Sequence, residues 1–228
     1  MRRYTAAMPS DAAFARHLPA NEYRRLRWRN GLGWTREIHA ASRGAGEGWD
    51  WRLSIAEIEA DGPYSVFPGV QREQVLLAGE GLALDFGDGP ERVLAPPHGR
   101  QRFSGEAAVQ ARLRAGRVEV FNLMWQDGRV APQLWHRPLV GSMLLFVDPG
   151  AAWVVHVLAG QATVGGDHAL PLLEMGDSAM LEADAARRRC LVEGAGELLL
   201  IRVEPSPPNP MQEQLQLHSG DPDARLTR

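Results

Sequence analysis

The sequence predicts an all-β fold in which two similar units follow one another, and three observations lead to that prediction. Glycine (24) and proline (16) are frequent among the 228 residues, well above the roughly 12% of average usage, which is typical of short strands joined by turns. Short apolar runs recur, each bounded by glycine, proline or aspartate. The segment 76–81 is echoed by 157–162, with an offset of 81 residues between Gly79 and Gly160.

Individual strands can be assigned from these runs. Residues 51–56 alternate between large apolar side chains and other residues, the period of two that indicates a strand with two different faces. Further strands are predicted at 75–78, 82–86, 139–147, 153–158, 179–181 and 198–203. In both copies of the repeat, the pattern predicts that one strand stops at Ala-Gly and another resumes at once. Gly176 and Asp177 predict a turn, and residues 12–18 favour a short helix.

The repeat divides the chain into two units and a tail. We assign residues 1–125, with their basic N-terminal segment, to the first unit and residues 126–204 to a smaller second unit. From residue 205 the sequence Pro-Ser-Pro-Pro-Asn-Pro cannot pair as a central strand. Residues 205–228 are therefore predicted to form an extended or disordered tail.

The composition excludes several function classes. All 25 basic residues are arginine, so a lysine Schiff base and a P-loop lysine are both ruled out. The single cysteine, Cys190, rules out an intramolecular disulfide and a multi-thiolate zinc site, and it suits a reducing compartment. Arg2 and Arg3 are not followed by the apolar stretch of a signal peptide, and no run approaches the ~18 apolar residues of a membrane span. A cytoplasmic protein without membrane contact is expected.

Charge is distributed unevenly along the chain, although the formal net charge is only −3. Residues 1–36 contain eight arginines and two acidic residues, whereas residues 44–91 contain ten acidic residues and two arginines. A basic arm for nucleic acid would give this asymmetry, and so would two segments of one domain that pack with complementary charge. The overall acidic balance favours the second interpretation, and no nucleic-acid partner is expected.

A strand that ends in Leu-x-Gly-Glu-Gly, with a Gly-Asp turn farther along, resembles the cupin family, and two copies resemble a bicupin of tandem β-barrels or jelly rolls with few short helices. Metal-binding cupins carry a His-x-His pair and then a glutamate seven places before the glycine. In this sequence Arg72 stands at the glutamate position, Phe67 and Ser65 stand at the histidine positions, and Trp153 stands at the glutamate position of the second copy. A guanidinium would repel a divalent cation, so no metal and no cofactor are expected. A site assembled from histidines distant in sequence is the less favoured alternative.

Longer stretches resemble a more specific family, HutD/Ves. Residues 28–37 (Trp-Arg-Asn-Gly-Leu-Gly-Trp-Thr-Arg-Glu) match its first block, residues 49–56 and 61–72 its second, and residues 121–124 (Phe-Asn-Leu-Met) its third. Two positions depart from the family pattern: Leu32 replaces a frequent glycine, and Gln71 replaces a frequent aspartate before the arginine. The resemblance implies a bicupin without an established chemical activity. Its members often accompany histidine-utilisation genes, and others are linked to cold or stress responses.

With no metal expected and an arginine at the pocket position, the predicted partner is an anion. Arg52 and Arg72 would hold a carboxylate in a fork of hydrogen bonds, and Thr35, Ser54 and Asn122 would contact the rest of the ligand. The predicted ligand-binding residues are Trp28, Asn30, Thr35, Glu37, Arg52, Ser54, Phe67, Arg72 and Asn122, with Trp125 as a further apolar contact. Alternatively, Asn30 only shapes a turn, and Arg52 and Arg72 pair with Glu57, Glu73 or Asp61 in a structural network.

Two function classes follow. The first is a non-catalytic protein that binds a small carboxylate metabolite such as formylglutamate or urocanate and so modulates histidine utilisation or a related catabolic or stress response. The alternative is a metal-independent isomerase or hydrolase in which Glu37 is a general base and Arg72 stabilises an anionic intermediate. A scaffold that binds a regulator through its surface is a third interpretation. A homodimer is also compatible with the sequence, because the edges of cupin barrels commonly pair.

Overall fold

The computed structural model describes residues 14–28, 31–41, 48–165 and 170–207. Within these ranges the chain is all-β, with one short 3-10 helix at Ala20–Glu22. The described strands are β1 (Ala15–Leu18), β2 (Arg24–Arg27), β3 (Gly33–Ala41), β4 (Trp51–Ile58), β5 (Gly62–Pro63), β6 (Val70–Ala78), β7 (Leu82–Asp85), β8 (Arg92–Leu94), β9 (Arg100–Ser104), β10 (Gln110–Leu113), β11 (Val118–Gln126), β12 (Val130–Val147), β13 (Ala152–Gly165), β14 (Leu173–Glu174), β15 (Ser178–Glu182) and β16 (Arg188–Pro205).

The strands form three sheets whose neighbouring strands pair antiparallel. The C-terminal sheet has the order β1-β15-β13-β16-β12, with β14 beside β13. The central sheet has the order β2-β3-β4-β11-β6-β9, and the small sheet has the order β5-β10-β7-β8. The two longest strands, β12 and β16, pair along their whole length. The first strand, β1, comes from the N-terminal part of the chain but pairs with β15 at the edge of the C-terminal sheet.

The central sheet is covered on both faces. One face packs through Leu53 and Phe121 against residues of the C-terminal sheet such as Ile201. The other face packs, at one end, through Val120 against residues of the small sheet such as Leu84. Because successive side chains of a strand point to opposite faces, each strand of the central sheet contributes alternate residues to the two sides.

The predicted strands are confirmed, since every predicted run coincides with an observed strand, although β7 ends at Asp85, one residue before the end of its predicted run. The turn at Gly176 and Asp177 is also confirmed, because it joins β14 to β15 and Gly176 has a φ of 92°. Among the described residues, no helix is long and apolar enough to span a bilayer.

Two local predictions were wrong. The described part of the predicted helix, Ala15–Leu18, is a strand, because its backbone pairs with β15 and tertiary pairing overrides a weak helix propensity. The second copy of the repeat does not separate two strands, since residues 157–162 lie inside β13. The strand bulges there, between Val157 and Ala159. A Cβ on Gly160 would stand 2.0 Å from the carbonyl oxygen of Ala195, so only glycine allows the close approach of the two strands.

The prediction that the basic and acidic segments pack together is confirmed. Arg25 and Arg36 both pair with Glu57, at 2.5 Å and 2.8 Å between nitrogen and carboxylate oxygen, and Arg27 pairs with Glu59 at 2.6 Å. These contacts connect β2 and β3 to β4 at the edge of the central sheet. The asymmetry of charge along the sequence therefore reflects neighbouring strands.

The C-terminal strand β16 includes one residue of the predicted tail. Pro205 pairs with Val130 at the end of the strand, where the pairing of β16 with β13 has already stopped at Val203. A proline is tolerated at such a position because no second neighbouring strand requires its missing N–H. Most of the predicted tail, residues 208–228, lies outside the described residues.

Candidate functional site

Polar side chains form two rows across one face of the central sheet. The rows follow from the register, because residues that face each other on neighbouring strands point to the same side. The first row contains Ser54, Asn122 and Gln74, and the second contains Arg52, Met124 and Arg72. Ser54 and Gln74 are each only 1% exposed, and Asn122 and Arg72 are 6% exposed. This face of the sheet is therefore both polar and buried, which is expensive unless the polar groups have partners.

A cavity of about 410 Å³ lies over these rows. Its floor is the polar face of the central sheet, and its walls come from the end of β2 and from the segment 62–67. The lining residues are Arg27, Trp28, Thr35, Arg52, Ser54, Ala56, Pro63, Tyr64, Ser65, Phe67, Arg72, Gln74, Asn122 and Met124. The cavity has the size of a small-molecule site, with a polar floor and with aromatic side chains in its walls.

Arg72 is a buried cation among aromatic rings. Its guanidinium carbon lies 4.8 Å from the ring centre of Tyr64, 5.2 Å from that of Phe103 and 5.8 Å from that of Phe67. Its Nη2 donates to Oδ1 of Asn122 over 3.4 Å, whereas Nε has no hydrogen-bond partner among the described residues. Burial lowers the pKa of Arg72 from its ordinary value, but an arginine keeps its charge in proteins.

The second arginine of the cavity, Arg52, has a carboxylate partner. Its Nε donates to Oε2 of Glu37 over 2.7 Å. Glu37 also lies 3.6 Å from Arg24 and is not among the lining residues of the cavity. Arg52 is thus partly neutralised within the protein, and Arg72 is the cation of the cavity for which no carboxylate partner is found in the described ranges.

The walls are held by hydrogen bonds of their own. Nε1 of Trp28 donates to Oγ1 of Thr35 over 2.8 Å, which connects the end of β2 to the floor. The hydroxyl of Tyr64 donates to Oε1 of Gln74 over 3.4 Å, and burial raises the pKa of Tyr64. A Cβ on Gly33 would lie 2.3 Å from the carbonyl oxygen of Glu57, so glycine is needed where β3 begins beside β4.

Comparison of the sequence with known proteins identifies the family of this chain. The family model described as HutD matches residues 20–200, most of the chain. The chain belongs to the HutD family. Among curated relatives, an uncharacterised 21.2 kDa protein of Pseudomonas putida, named for the hutC 3′ region, is 42% identical over 120 residues, which are 51% of this chain and 61% of that protein. The match thus spans less than two thirds of that relative. Protein Ves of Cronobacter sakazakii is 35% identical over 136 residues, 58% of this chain and 70% of that protein.

Several solved structures have a similar fold. HutD from Pseudomonas fluorescens superposes with a TM-score of 0.73 at 28% identity, covering 85% of this chain and all of that one. The protein of unknown function PA5104 from Pseudomonas aeruginosa also gives 0.73, at 26% identity, covering 86% of this chain and all of that one. The bacterial pirin YhhW from Escherichia coli gives 0.60 at 10% identity, over 85% and all of the two chains, which indicates a shared cupin-like and pirin-like all-β fold.

The HutD-family blocks of the sequence converge on the cavity. The first block contributes Trp28 and Thr35, the second contributes Arg52, Ser54, Phe67 and Arg72, and the third contributes Asn122. Seven of the nine residues predicted to bind ligand therefore line one cavity, which brings them together without testing their role. Of the other two, Glu37 accepts a hydrogen bond from Arg52 but is not among the lining residues, and Asn30 lies outside the described residues.

Some expectations for this HutD-family site need correction. Trp125 does not line the cavity: it points to the opposite face and packs in the core between the central and C-terminal sheets, because its position has the other parity from Asn122 and Met124. The alternative in which Arg72 pairs with an acidic residue in a structural network is not found among the described residues. Glu57 pairs with arginines of β2 and β3, and Glu73 pairs with Arg100.

Several cavity residues of this HutD-family chain were not predicted, notably Tyr64, Gln74 and Met124. A signal for two of them was present in the sequence. Gln74 is two residues from Arg72, and Met124 is two residues from Asn122, so strand periodicity puts each pair on one face. Tyr64 lies within the second family block, three residues before Phe67.

Outside the cavity of the HutD-family fold, two histidines distant in sequence meet. The rings of His98 and His136 have centres 4.8 Å apart, and Glu197 lies beside both. No sequence spacing of the i, i+2 or i, i+4 kind relates these residues. The chain therefore contains the cluster of distant histidines that the sequence did not favour, in a different place from the cupin pocket position.

Proposed function

We propose that the cavity binds a small carboxylate metabolite and that Arg72 is its principal anion-binding residue. One observation carries this proposal: Arg72 is 6% exposed, faces the cavity, and has no carboxylate partner and an unpaired Nε among the described residues. A buried cation without a partner is costly for the protein alone. A bound carboxylate would remove that cost, because a planar guanidinium matches a carboxylate in charge and in hydrogen-bond geometry.

The other polar side chains of the cavity are suited to hydrogen-bond the rest of the ligand. Asn122 contacts Arg72, Ser54 and Thr35 lie farther along the floor of the same cavity, and Trp28 and Phe67 offer apolar contact from the walls. Hydrogen bonds to a charged group contribute about 1.5–3 kcal/mol each. Two or three of them, together with apolar contacts, reach the roughly 8 kcal/mol of micromolar affinity.

Histidine utilisation is the physiological setting that we propose. The name of the Pseudomonas putida relative refers to the hutC 3′ region, and the family model is named HutD. The ligand would be an acid of that catabolism, such as formylglutamate or urocanate, and its binding would modulate the pathway. As part of this proposal, residues 1–125 and 126–204 are two cupin-like units, and the cavity belongs to the first.

An acid-binding screen tests the proposal directly. Thermal unfolding of the purified chain is measured with each carboxylate intermediate of histidine breakdown at millimolar concentration, followed by calorimetric titration of any acid that stabilises it. A ligand at 100 times its dissociation constant adds about 2.7 kcal/mol to the free energy of unfolding. No stabilisation by any of these acids would contradict the proposal.

Two variants connect the screen to Arg72. Arg72→Met removes the cation, and Asn122→Asp supplies an internal carboxylate within reach of Nη2, which contacts Oδ1 at this position. Both variants are expected to weaken binding at least tenfold. Arg92→Gln, which alters an arginine on β8 paired with the exposed Asp88, is the matched control and should leave affinity unchanged.

The enzyme alternative has less support from the site. A general base needs a free carboxylate or imidazole within hydrogen-bond reach of the substrate. Glu37, the residue expected in that role, is not among the lining residues and is already hydrogen-bonded to Arg52. Binding without turnover is therefore the function that the geometry supports best.

A further inference from the structure

His98, His136 and Glu197 meet on the side of the molecule where the small, central and C-terminal sheets approach one another. His98 lies in the turn that joins β8 to β9, His136 lies on β12, and Glu197 lies on β16. One carboxylate oxygen, Oε2 of Glu197, stands 2.9 Å from Nε2 of His136 and 3.3 Å from Nε2 of His98. The three ligand atoms all lie within 4.8 Å of one another.

The hydrogen bonding of His98 creates an unfavourable contact in this cluster. Its Nδ1 lies 3.0 Å from the carbonyl oxygen of Leu76, and because a carbonyl oxygen only accepts, Nδ1 carries the hydrogen and donates. In a neutral imidazole Nε2 then has a lone pair and no hydrogen. That lone pair faces the carboxylate of Glu197 at 3.3 Å, so two acceptors meet. A cation between them, a proton or a metal ion, removes the repulsion.

The same hydrogen bond is the arrangement that orients a histidine toward a metal. A metal-binding histidine almost always donates its second ring N–H to a carbonyl or carboxylate, which fixes the tautomer and aims the other nitrogen at the ion. The backbone of His98 is also held in the left-handed region, with a φ of 57°. Nε2 of His98 is therefore positioned by its surroundings and not by Glu197 alone.

The strand register places the other two ligands, His136 and Glu197, on one face of the C-terminal sheet. His136 is opposite Leu199 in the pairing of β12 with β16, so Glu197, two residues from Leu199, is its diagonal neighbour on the same side. The side chains of His136 and Glu197 are 42% and 45% exposed, and they can rotate into place. Ligands of a tetrahedral zinc ion at about 2.0–2.1 Å stand roughly 3.3 Å apart, close to the two carboxylate distances found here.

We propose that His98, His136 and Glu197 form a binding site for a divalent transition-metal ion, with zinc as the ion that suits it best. Two imidazoles and one carboxylate are the donor types that zinc takes in proteins, and three protein ligands leave a fourth position for water or a small anion. His98 and His136 also line a second cavity, of about 300 Å³, together with Arg100 and Trp135 among others. The ion would connect the turn between β8 and β9 to the C-terminal sheet.

Metal titration of the purified full-length chain tests this site. After treatment with EDTA and dialysis, zinc is titrated by calorimetry, and cobalt is titrated by visible absorption, which reports the ligand geometry. We expect one ion per chain, a cobalt spectrum of four- or five-coordinate type, and a rise in the midpoint of thermal unfolding with zinc. Absence of stoichiometric binding would overturn the proposal.

Three variants and a control assign the binding to this cluster. Glu197→Gln, His136→Gln and His98→Asn are each expected to lower zinc affinity at least tenfold and to remove the cobalt spectrum; asparagine tolerates the left-handed backbone at position 98. Glu193→Gln alters an exposed glutamate of the same strand and should change neither readout. Thermal unfolding without metal shows that each variant is folded. Binding that persists in all three variants would assign the metal to other residues and contradict the proposal.

Discussion

Around the cavity, the two faces of the central sheet are both largely buried but differ in chemistry. On the face that packs against the C-terminal sheet, Leu53 and Phe121 have no exposed surface. On the cavity face, their neighbours Ser54 and Asn122 are only 1% and 6% exposed, yet both are polar. What distinguishes the faces at this place is what lies opposite: the apolar side chains of a second sheet on one side and the cavity on the other. The same strands thus stabilise the fold with one set of alternate residues and present a binding surface with the other.

The largest effect is expected from a substitution that leaves a void in the apolar core between the central and C-terminal sheets. Phe121→Ala should lower the free energy of unfolding by about 3–5 kcal/mol, because it removes a fully buried aromatic ring from the core between two sheets. Ser54→Ala, at an equally buried position of the cavity face, should change it by less than about 1 kcal/mol. Chemical denaturation of both variants measures the difference, and equal losses would show that the cavity face is packed as tightly as the other.

A pH dependence is expected from the packing side, where His156 lies against Phe121 with ring centres 5.1 Å apart. Burial, together with the charge of Arg36, lowers the pKa of His156 from 6.5 to about 4. Between these values the unfolded chain takes up a proton that the folded protein does not, so the free energy of unfolding falls as the pH decreases from about 6.5 to about 4. The loss from this group is about 3 kcal/mol.

Denaturation curves across this pH range test the assignment. His156→Asn should flatten the dependence while keeping a smaller slope from His39, whose pKa burial also lowers to about 4. Identical slopes in the parent protein and the variant would assign the pH dependence to other groups.

On the cavity face, removal of a charge should stabilise the protein. Arg72→Met is expected to raise the free energy of unfolding by about 1–3 kcal/mol, because a buried cation without a carboxylate partner is replaced by an apolar side chain of similar size. Arg52→Met, which breaks the pair with Glu37, should destabilise the protein instead. Urea denaturation of the two variants decides the matter: a destabilised Arg72→Met would mean that the aromatic rings around the guanidinium compensate for its burial.

The smallest effect is expected at the wall of the cavity. Trp28→Phe and Thr35→Val each remove one partner of the hydrogen bond between Nε1 and Oγ1, and each should cost about 0.5–1.5 kcal/mol. The double variant should cost less than the sum of the two, since the partners interact with each other. Strict additivity in a denaturation experiment would show that this hydrogen bond does not stabilise the wall.

The sequence predicted the strands and half of the residues that line the cavity, because both depend on local pattern. Period-two alternation identified β4, and the family blocks contain Arg72, Phe67 and Asn122, which the fold brings to one cavity. The partner of Arg52 could not be predicted in the same way. Its contact with Glu37 depends on the register of β3 and β4, which shifts by a bulge between Glu37 and His39, and no spacing in the sequence announces that bulge.

Long-range pairing limited the remaining predictions. Ala15–Leu18 has no strong strand pattern and becomes a strand only because β15 supplies a partner. The sequence pattern predicts no strand around Trp125, so it gives no indication that Trp125 and Asn122 point to opposite faces of one strand. His98 and His136 are brought together by three sheets, which is why their spacing in the sequence gave no sign of the cluster.

The pairing of β1 with β15 also constrains how the chain folds during synthesis. Ala15–Leu18 leaves the ribosome well before its partner, which begins at Ser178, more than 150 residues later. β1 therefore stays without its partner until β15 has emerged, and contacts between such distant segments form slowly. A fragment that begins at residue 126 would keep the β15 edge of the C-terminal sheet permanently unpaired, as a template for association with other chains.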